Sequence, residues 1–198
     1  MHTSQELSRS SFGRFVHSVS LPNTLTVIRI AVIPVFLWLI LSSQDWSTAT
    51  QPDLTMRWWA LGVFIALMFT DQLDGFLARR YQVITDFGKL ADPIADKALM
   101  ISAFVSLNIL GELWWWVTAV IVVRELGITV WRMILARRGK VVPASKGGKL
   151  KTVLQTVAVA LFILPAAGFW HVAAVVFMAL AVAQTVITGV QYLVDSRD

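Results

Sequence analysis

Four aspartates lie close together in a sequence that is otherwise strongly apolar. They are Asp71, Asp74, Asp92 and Asp96. Residues three or four positions apart share one face of an α-helix, so each pair would form a stripe of carboxylates. Carboxylate oxygens are preferred ligands of hard divalent cations such as Mg²⁺ and Mn²⁺, and the chain has no cysteine to offer instead. The spacing therefore predicts a divalent-cation site built from two helices.

The composition is that of a membrane protein. Hydrophobic residues make up 57% of the 198 residues, charged residues make up 15%, and the mean hydropathy is +0.68. Soluble domains average about 45–50% apolar and about 25% charged residues. The apolar residues also form blocks close to the ~20 residues that cross a hydrocarbon core of about 30 Å. We therefore predict an all-α integral membrane protein, in which an acid inside a span marks a functional site.

Six apolar blocks predict about six transmembrane helices. Their approximate ranges are 24–41, 58–77, 87–110, 113–135, 152–169 and 171–194. Before them, residues 4–19 carry apolar side chains at roughly helical spacing, which predicts an amphipathic helix lying in the membrane interface. The predicted organisation is thus an N-terminal juxtamembrane segment, 1–21, followed by one membrane domain, 22–198.

The basic residues indicate how the chain is oriented. Lys and Arg cluster at the N-terminus, around 79–89 and around 137–151, whereas the loops between these clusters carry few. Because cytoplasmic loops are enriched in Lys and Arg, both termini and the carboxylate cluster are predicted on the cytoplasmic side of a bacterial inner membrane. A net charge of +5 also suits anionic lipid or a phosphorylated substrate, and no nucleic-acid partner is expected.

Residue chemistry alone leaves three interpretations of the carboxylate cluster. The acids could be structural, paired with their basic neighbours Arg79, Arg80, Lys89 and Lys97. They could form the transit site of a divalent-cation transporter. They could also hold metal for catalysis, and small residues that allow close backbone approach lie beside them at Gly75, Ala78, Gly88 and Ala91.

The spacing also resembles a family signature. The pattern reads Asp71-x-x-Asp74-Gly75-x-x-Ala78-Arg79-x₈-Gly88-x₃-Asp92-x₃-Asp96. It is similar, position for position, to the motif of the CDP-alcohol phosphatidyltransferases. This resemblance implies a metal-dependent transferase with six spans and an interfacial N-terminal helix. It also implies CDP-diacylglycerol as donor, two divalent ions (Mg²⁺ or Mn²⁺) and a homodimer.

The resemblance further implies roles for individual residues. The expected metal ligands are Asp71, Asp74, Asp92 and Asp96. Asp96 is also the expected general base, which takes the proton from the acceptor hydroxyl. The residues expected to bind CDP-diacylglycerol are Asp71, Asp74, Gly75, Ala78, Arg79 and Gly88, with Asn23 and Thr26 near the start of the first span.

Three further stretches resemble the branch of the family in which glycerol 3-phosphate is the acceptor. They are Pro22-Asn23-Thr24-Leu25-Thr26-x-x-Arg29, Asp92-Pro93-Ile94-Ala95-Asp96-Lys97, and Arg124-Glu125 with Ser145-Lys146-x-Gly148-Lys149-x-Lys151-Thr152-x-x-Gln155. The implied reaction converts CDP-diacylglycerol and sn-glycerol 3-phosphate into phosphatidylglycerol phosphate and CMP. Transfer to inositol phosphate, or to phosphatidylglycerol to give cardiolipin, is the nearest alternative.

Basic residues within or beside the spans predict a second site. Arg29, Arg124 and Arg132 lie inside apolar spans, so each is expected to face the protein interior or a wet cavity. Convergent cations suit a phosphate dianion, and the residues predicted to bind the acceptor's phosphate are Arg124, Lys146, Lys149 and Arg29. Snorkelling towards lipid headgroups is the alternative for the lysines, and bracing of the fold is the alternative for Arg124.

Tryptophans mark the opposite ends of the predicted spans. They are Trp58, Trp59, Trp114, Trp115, Trp116 and Trp170. Their positions predict an interfacial aromatic belt rather than a ligand site. The three histidines are distant from the acids in the sequence, so none is assigned to metal.

Overall fold

The protein is built from long α-helices. The computed structural model describes residues 21–44, 53–81, 86–137 and 146–195, with side chains for 26–44, 53–70, 94–135 and 147–194. Within these ranges there are six helices and no strand: α1 Leu21–Ser42, α2 Leu54–Tyr81, α3 Asp86–Ile109, α4 Trp115–Arg137, α5 Lys146–Ile163 and α6 Phe169–Asp195. The all-α prediction is thus confirmed for this part of the chain, whereas the predicted helix within residues 4–19 lies outside the described residues.

Local chemistry explains several helix ends. Asp53 caps α2, since its Oδ1 accepts hydrogen bonds from the backbone N–H groups of Thr55 at 2.8 Å and Met56 at 3.2 Å. α3 ends at Ile109, and Gly111 follows it with a φ of 75°, the left-handed conformation that glycine adopts without strain. The N–H of the next residue, Glu112, donates back to the carbonyl of Leu107 at 3.0 Å. The turn between α3 and α4 is therefore tight.

The fifth helix differs most from its predicted range. The sequence predicts a span over 152–169, preceded by a basic loop, but α5 runs from Lys146 to Ile163. It ends two residues before Pro165, whose ring cannot donate a backbone hydrogen bond. The prediction of a loop at Lys149 and Lys151 is wrong, because both residues lie in the first two turns of α5. Packing of this end against the bundle outweighs the helix-breaking tendency of its two glycines.

Neighbouring helices run antiparallel, so the bundle has two chemically distinct ends. α1 packs against α2 and α3, α5 packs against α2, α3 and α6, and α4 packs against α3 and α6. We call one end the aspartate end. It comprises the beginnings of α1, α3 and α5 and the ends of α2, α4 and α6. The other end, which holds residues 43–44 and 53 and the connections 110–114 and 164–168, is the opposite end.

The interior of the bundle combines an apolar core with several polar side chains. The aromatic rings of Phe36 and Phe64 lie 5.9 Å apart and link α1 to α2. The buried polar and charged residues include Thr26, Arg29, Arg57, Ser106, Asn108, Lys151, Gln155, Thr185 and Thr188. Such groups are costly to bury unless they are hydrogen-bonded or paired, so their presence inside the bundle needs an explanation from their contacts.

The surface, by contrast, is strongly apolar. Large aliphatic and aromatic side chains on several helices are exposed, among them Ile65, Phe69, Val123, Val153, Leu180 and Val190. Within the described residues, one helix is both long and apolar enough to cross a membrane by these two properties alone, from Phe169 to Val194 with a mean hydropathy of 2.1. Thr26–Ser42 and Leu54–Thr70 are shorter apolar stretches. Continuous apolar surface of this extent is a liability in water and is suited to lipid.

Candidate active site

Two helices bring the four predicted aspartates to the same end of the bundle. Asp71 and Asp74 lie in the last three turns of α2, and Asp92 and Asp96 lie in the first three turns of α3. Of these four, only Asp96 has a described side chain. The predicted donor-site residues Gly75, Ala78, Arg79 and Gly88 also lie on these two helix ends, outside the residues described in atomic detail. The same limit applies to Asn23 and Lys146.

Asp96 lines a cavity between α3, α4 and α5. The volume of this cavity is about 60 Å³. Its apolar lining consists of Met100, Ile101, Phe104, Ile121 and Val122, and its polar lining consists of Asp96, Lys97, Glu125, Lys151, Thr152 and Gln155. The cavity therefore brings a carboxylate that can accept a proton next to two ammonium groups that attract anions. This combination suits the binding and deprotonation of a small phosphorylated alcohol.

Glu125 joins two cations at the wall of this cavity. Its Oε1 accepts a hydrogen bond from Lys151 Nζ of α5 and another, at 3.2 Å, from Arg124 Nη1. The side chain of Lys151 is only 6% exposed, so its charge needs a close partner. Glu125 supplies this partner, and the contact ties α4 to α5.

Arg124 extends away from the cavity towards α6. Its Nη2 donates a hydrogen bond to Thr188 Oγ1 at 2.8 Å. The approach is possible because residue 189 is glycine, and a Cβ at that position would lie 3.2 Å from Arg124 Cγ. Gln155 of α5 makes a second polar contact with α6, donating to Thr185 Oγ1 at 3.1 Å. α6 thus supports the back of the cavity wall.

Lys97 is anchored to the same turn of α4. Its Nζ donates a hydrogen bond to Thr129 Oγ1, which in turn donates to the backbone carbonyl of Glu125 at 2.7 Å. Asp96 and Lys97 are adjacent in α3, so this contact fixes the local position of α3 relative to Glu125. The turn around Glu125 therefore connects α3, α4, α5 and α6.

The predicted basic residues have different surroundings. Arg29 is 1% exposed in α1, which places it inside the protein as predicted. Arg124 lies behind Glu125 and is not among the residues that line the cavity. Lys149 is exposed on the outer face of α5, one turn from the cavity. Arg132 is exposed near the end of α4, so it does not lie in the protein interior, and the alternative of a wet cavity stays a prediction.

Lys151 is the residue that sequence reasoning did not single out. It appeared only as one of several lysines in a basic stretch, although it is the one that reaches the cavity. Its spacing from Gln155 carried a usable signal. The two residues are four positions apart, so they share one face of a helix, and both turn out to be buried polar groups. A polar stripe on an otherwise apolar helix indicates an internal site.

The opposite end has a different kind of polar cluster. Arg57 of α2 forms a two-point ion pair with Glu112 in the turn before α4, with Nη1 to Oε2 at 3.0 Å. Arg57 also donates to Ser43 Oγ at 3.3 Å and to the backbone carbonyl of Phe162 at 3.3 Å. All three guanidinium nitrogens therefore have partners from other elements, and this cluster connects the loops of the opposite end.

The tryptophans lie where the belt was predicted. Trp58, Trp59, Trp114, Trp115, Trp116 and Trp170 are exposed at the beginnings of α2, α4 and α6. The rings of Trp114 and Trp116 stack with centroids 6.4 Å apart. A cavity of about 630 Å³ lies nearby between α4 and α6 and is lined mainly by apolar side chains. These features face the opposite end and are far along the helices from Asp96.

Comparison with known proteins supports one family. The sequence profile of the CDP-alcohol phosphatidyltransferases matches residues 19–187. A Mycobacterium tuberculosis protein named "Probable phosphatidylglycerophosphate synthase" is 49% identical over 174 residues, covering 88% of this chain and 80% of that protein. The Bacillus subtilis CDP-diacylglycerol–glycerol-3-phosphate 3-phosphatidyltransferase is 36% identical over 179 residues, covering 87% of this chain and 93% of that protein.

A match to a different activity is less extensive. The Streptomyces coelicolor cardiolipin synthase (CMP-forming) is 37% identical over 121 residues, which cover 61% of this chain and 54% of that protein. The profile match spans both helices that carry the aspartates as well as the turn around Glu125. On these grounds, and with the aspartate motif in place at one end of the bundle, the chain belongs to the CDP-alcohol phosphatidyltransferase family.

Proposed function

We propose that this enzyme transfers the phosphatidyl group of CDP-diacylglycerol to sn-glycerol 3-phosphate, giving phosphatidylglycerol phosphate and CMP. The observation that carries this proposal is the cavity in which Asp96 lies beside Lys97 and Lys151. Glycerol 3-phosphate offers a hydroxyl to the carboxylate and a phosphate to the ammonium groups. The extensively matched relatives carry names for this reaction.

The reaction needs one bond to form and one to break. The acceptor's hydroxyl oxygen attacks the phosphorus that carries the diacylglycerol, and the bond from that phosphorus to the bridging pyrophosphate oxygen breaks. CMP leaves with the bridging oxygen and its electron pair. Asp96 accepts the proton of the attacking hydroxyl, which prevents positive charge from building up on that oxygen. Holding the hydroxyl beside Asp96 removes much of the entropic cost of this encounter.

The donor set fits two divalent ions, Mg²⁺ or Mn²⁺. Four aspartates, at the end of α2 and the beginning of α3, offer oxygen ligands only, which is the chemistry that these ions prefer. We assign Asp71, Asp74 and Asp92 to the first ion and Asp96 to the second. Bound divalent ions neutralise charge on the pyrophosphate and on the departing CMP. The protein's part is to hold the four carboxylates at one end of two helices.

The donor and acceptor use neighbouring surfaces in this proposal. Residues assigned to CDP-diacylglycerol are Gly75, Ala78, Arg79, Gly88, Asn23 and Thr26, together with Asp71 and Asp74. Residues assigned to the acceptor's phosphate are Lys151 and the predicted set of Arg124, Lys146, Lys149 and Arg29, of which the exposed Lys149 contributes only screened long-range attraction. Lys151 comes first among them, because it lines the Asp96 cavity.

The membrane arrangement follows from the surface. We propose that all six helices cross or enter the bilayer, with both termini and the aspartate end at the cytoplasmic face of the inner membrane. The exposed apolar side chains on α1, α2, α4, α5 and α6 support this arrangement, since each would be in contact with lipid. A homodimer remains an expectation from the family.

The test is an assay of CMP release with purified enzyme, CDP-diacylglycerol and Mg²⁺. Glycerol 3-phosphate, inositol phosphate and phosphatidylglycerol are supplied one at a time, and the lipid product is identified by mass. We expect CMP only with glycerol 3-phosphate. Release of CMP with either of the other acceptors would support phosphatidyl transfer but contradict the proposal that glycerol 3-phosphate is the acceptor. Mg²⁺ flux into vesicles without CMP release would instead support a transporter.

A further inference from the structure

The carboxylate of Glu125 has an unusual position for a buried acid. One of its oxygens, Oε1, accepts hydrogen bonds from two cations on different helices, Lys151 and Arg124. Only Lys151 faces the Asp96 cavity, whereas Arg124 extends towards Thr188 on α6. The three side chains therefore form a row in which Glu125 lies between a cation at the cavity and a cation behind it.

This row explains how Lys151 can stay charged and in place inside an apolar bundle. A buried ammonium without a close anion carries a large desolvation cost and would deprotonate or withdraw towards water. Glu125 offsets part of that cost. Arg124, held by Thr188, offsets part of the negative charge that the carboxylate presents at the cavity wall, where this charge would oppose a phosphate.

We propose that Glu125 is a positioning residue for the acceptor: it holds Lys151 in the cavity wall so that the ammonium group can bind the acceptor's phosphate, and Arg124 acts through it. This inference rests on the transfer to glycerol 3-phosphate proposed above. It assigns Lys151 to direct contact with the phosphate and moves Arg124 from direct contact to support. Glu125 also lines the cavity, but its carboxylate repels a phosphate, so its part in acceptor binding is through Lys151.

Two opposing effects make the proposal testable. Replacing Glu125 with Gln removes a negative charge near the phosphate site, which by itself would strengthen acceptor binding. It also removes the negative charge that stabilises Lys151 and Arg124: the amide oxygen can still accept from both cations, but only as a neutral group, so Lys151 is held less firmly. If Glu125 positions Lys151, the second effect wins and the KM for glycerol 3-phosphate rises.

The experiment compares steady-state kinetics of the enzyme in detergent micelles for five forms, with Thr118→Val as a sixth, control form. These are the wild type, Glu125→Gln, Lys151→Met, the double variant and Thr188→Val. We expect Glu125→Gln to raise the KM for glycerol 3-phosphate roughly tenfold, the size of a lost hydrogen bond to a charged group. The KM for CDP-diacylglycerol should stay within about twofold, because that site uses other residues.

The double variant tests whether Glu125 acts through Lys151. Once Lys151 is Met, removing the carboxylate should not raise the acceptor KM further, so the double variant should match Lys151→Met alone. Thr188→Val, which is remote from the cavity, should raise the same KM by about threefold through Arg124. Thr118→Val on α4 is the matched control, because its buried hydroxyl has no hydrogen-bond partner among the described residues.

Several results would overturn the proposal. One is an unchanged or lower acceptor KM in Glu125→Gln, even if thermal stability falls, since that is the behaviour of a residue that only braces the helices. Another is a double variant whose KM increase equals the product of the single increases. If Glu125→Gln does not fold, the test rests on Thr188→Val. A rise in the acceptor KM of Thr188→Val that is no larger than the rise in Thr118→Val would then overturn the proposal. Wild-type enzyme that releases no CMP with glycerol 3-phosphate overturns the proposed function together with this inference.

Discussion

Each end of the bundle contains a buried ion pair, and the two pairs are built differently. At the opposite end, Arg57 and Glu112 satisfy each other through two contacts, and Ser43 and the Phe162 carbonyl take the remaining donors. At the aspartate end, one oxygen of Glu125 serves both Lys151 and Arg124. The charged groups of the first pair bind each other, whereas in the second pair two cations share one carboxylate oxygen and keep N–H groups that can donate to a ligand.

The surroundings of the two ion pairs also differ. The first pair joins loops, and the second pair borders a cavity that also contains Asp96. A saturated ion pair gives little to a substrate because its hydrogen bonds are already made. An incompletely saturated one beside a cavity is the kind of site where a phosphate finds donors. The comparison therefore separates a structural use of buried charge from a functional one within one small protein.

The largest expected effect is on catalysis at the aspartate end. We expect Asp96→Asn to lower the rate of CMP release by about 10³-fold or more, because a general base contributes about 10²–10⁴ and a metal ligand is lost as well. Asp53→Asn is the matched control, since asparagine also caps a helix N-terminus and Asp53 lies at the opposite end. Comparable activity losses in both variants would contradict the distinction between the two ends.

A large effect on stability is expected at the opposite end. Glu112→Gln leaves the guanidinium of Arg57 buried without its anion, so we expect the free energy of unfolding to fall by about 3 kcal/mol. Thermal unfolding in detergent micelles measures the change. The kcat/KM of the folded fraction should remain near that of the wild type. A selective loss of acceptor affinity in this variant would mean that the two ends are not separate in function.

A pair of lysines on α5 sharpens the comparison within the aspartate end. Lys151→Met should raise the KM for glycerol 3-phosphate by roughly tenfold or more, because a buried charged donor to the phosphate is lost. Lys149→Met should change it by no more than about twofold, since exposed charges are screened by water and salt. Steady-state kinetics with varied acceptor measures both. Equal effects would indicate general attraction by a basic surface instead of a defined site.

The smallest expected effect concerns a glycine. Gly189→Ala places a methyl group 3.2 Å from Arg124 Cγ, so the arginine side chain must shift by a few tenths of an ångström. We expect a rise of at most about threefold in the acceptor KM, because the displaced atoms belong to a flexible side chain. Gly62→Ala is the control, since no atom lies within 4 Å of its added Cβ. A similar rise in the acceptor KM of Gly62→Ala would show that the effect of Gly189→Ala does not act through Arg124.

The sequence predicted the helical blocks and the aspartate cluster, because both depend on local signals. Apolar runs and i, i+3 or i, i+4 spacing are visible without any contact information. The beginning of α5 was predicted at residue 152 instead of Lys146. Whether a helix includes Gly147 and Gly148 depends on its packing against other helices. Proline disfavours helical geometry in the residue before it, yet α3 begins at Asp86 and continues past Pro93.

The contacts of the basic side chains could not be predicted from the sequence. Arg124 and Glu125 are neighbours whose side chains point about 100° apart on a helix, so pairing between them looked unfavourable. Their contact forms because Lys151 and Thr188, from two other helices, orient both groups. Likewise, nothing local distinguishes Lys151 from Lys149. Which of them is buried depends on the rotation of α5 against α3 and α4.

The complete burial of Arg29 bears on how the protein enters its membrane. α1 is the first of the described helices to leave the ribosome, yet an arginine within a span costs about 2.5–3.5 kcal/mol during insertion. That cost is relieved only when α2 and α3, which pack against α1, have surrounded the guanidinium. In the proposed membrane arrangement, the first of the described helices to be synthesised is therefore among the last to settle, and integration of α1, α2 and α3 is a cooperative step.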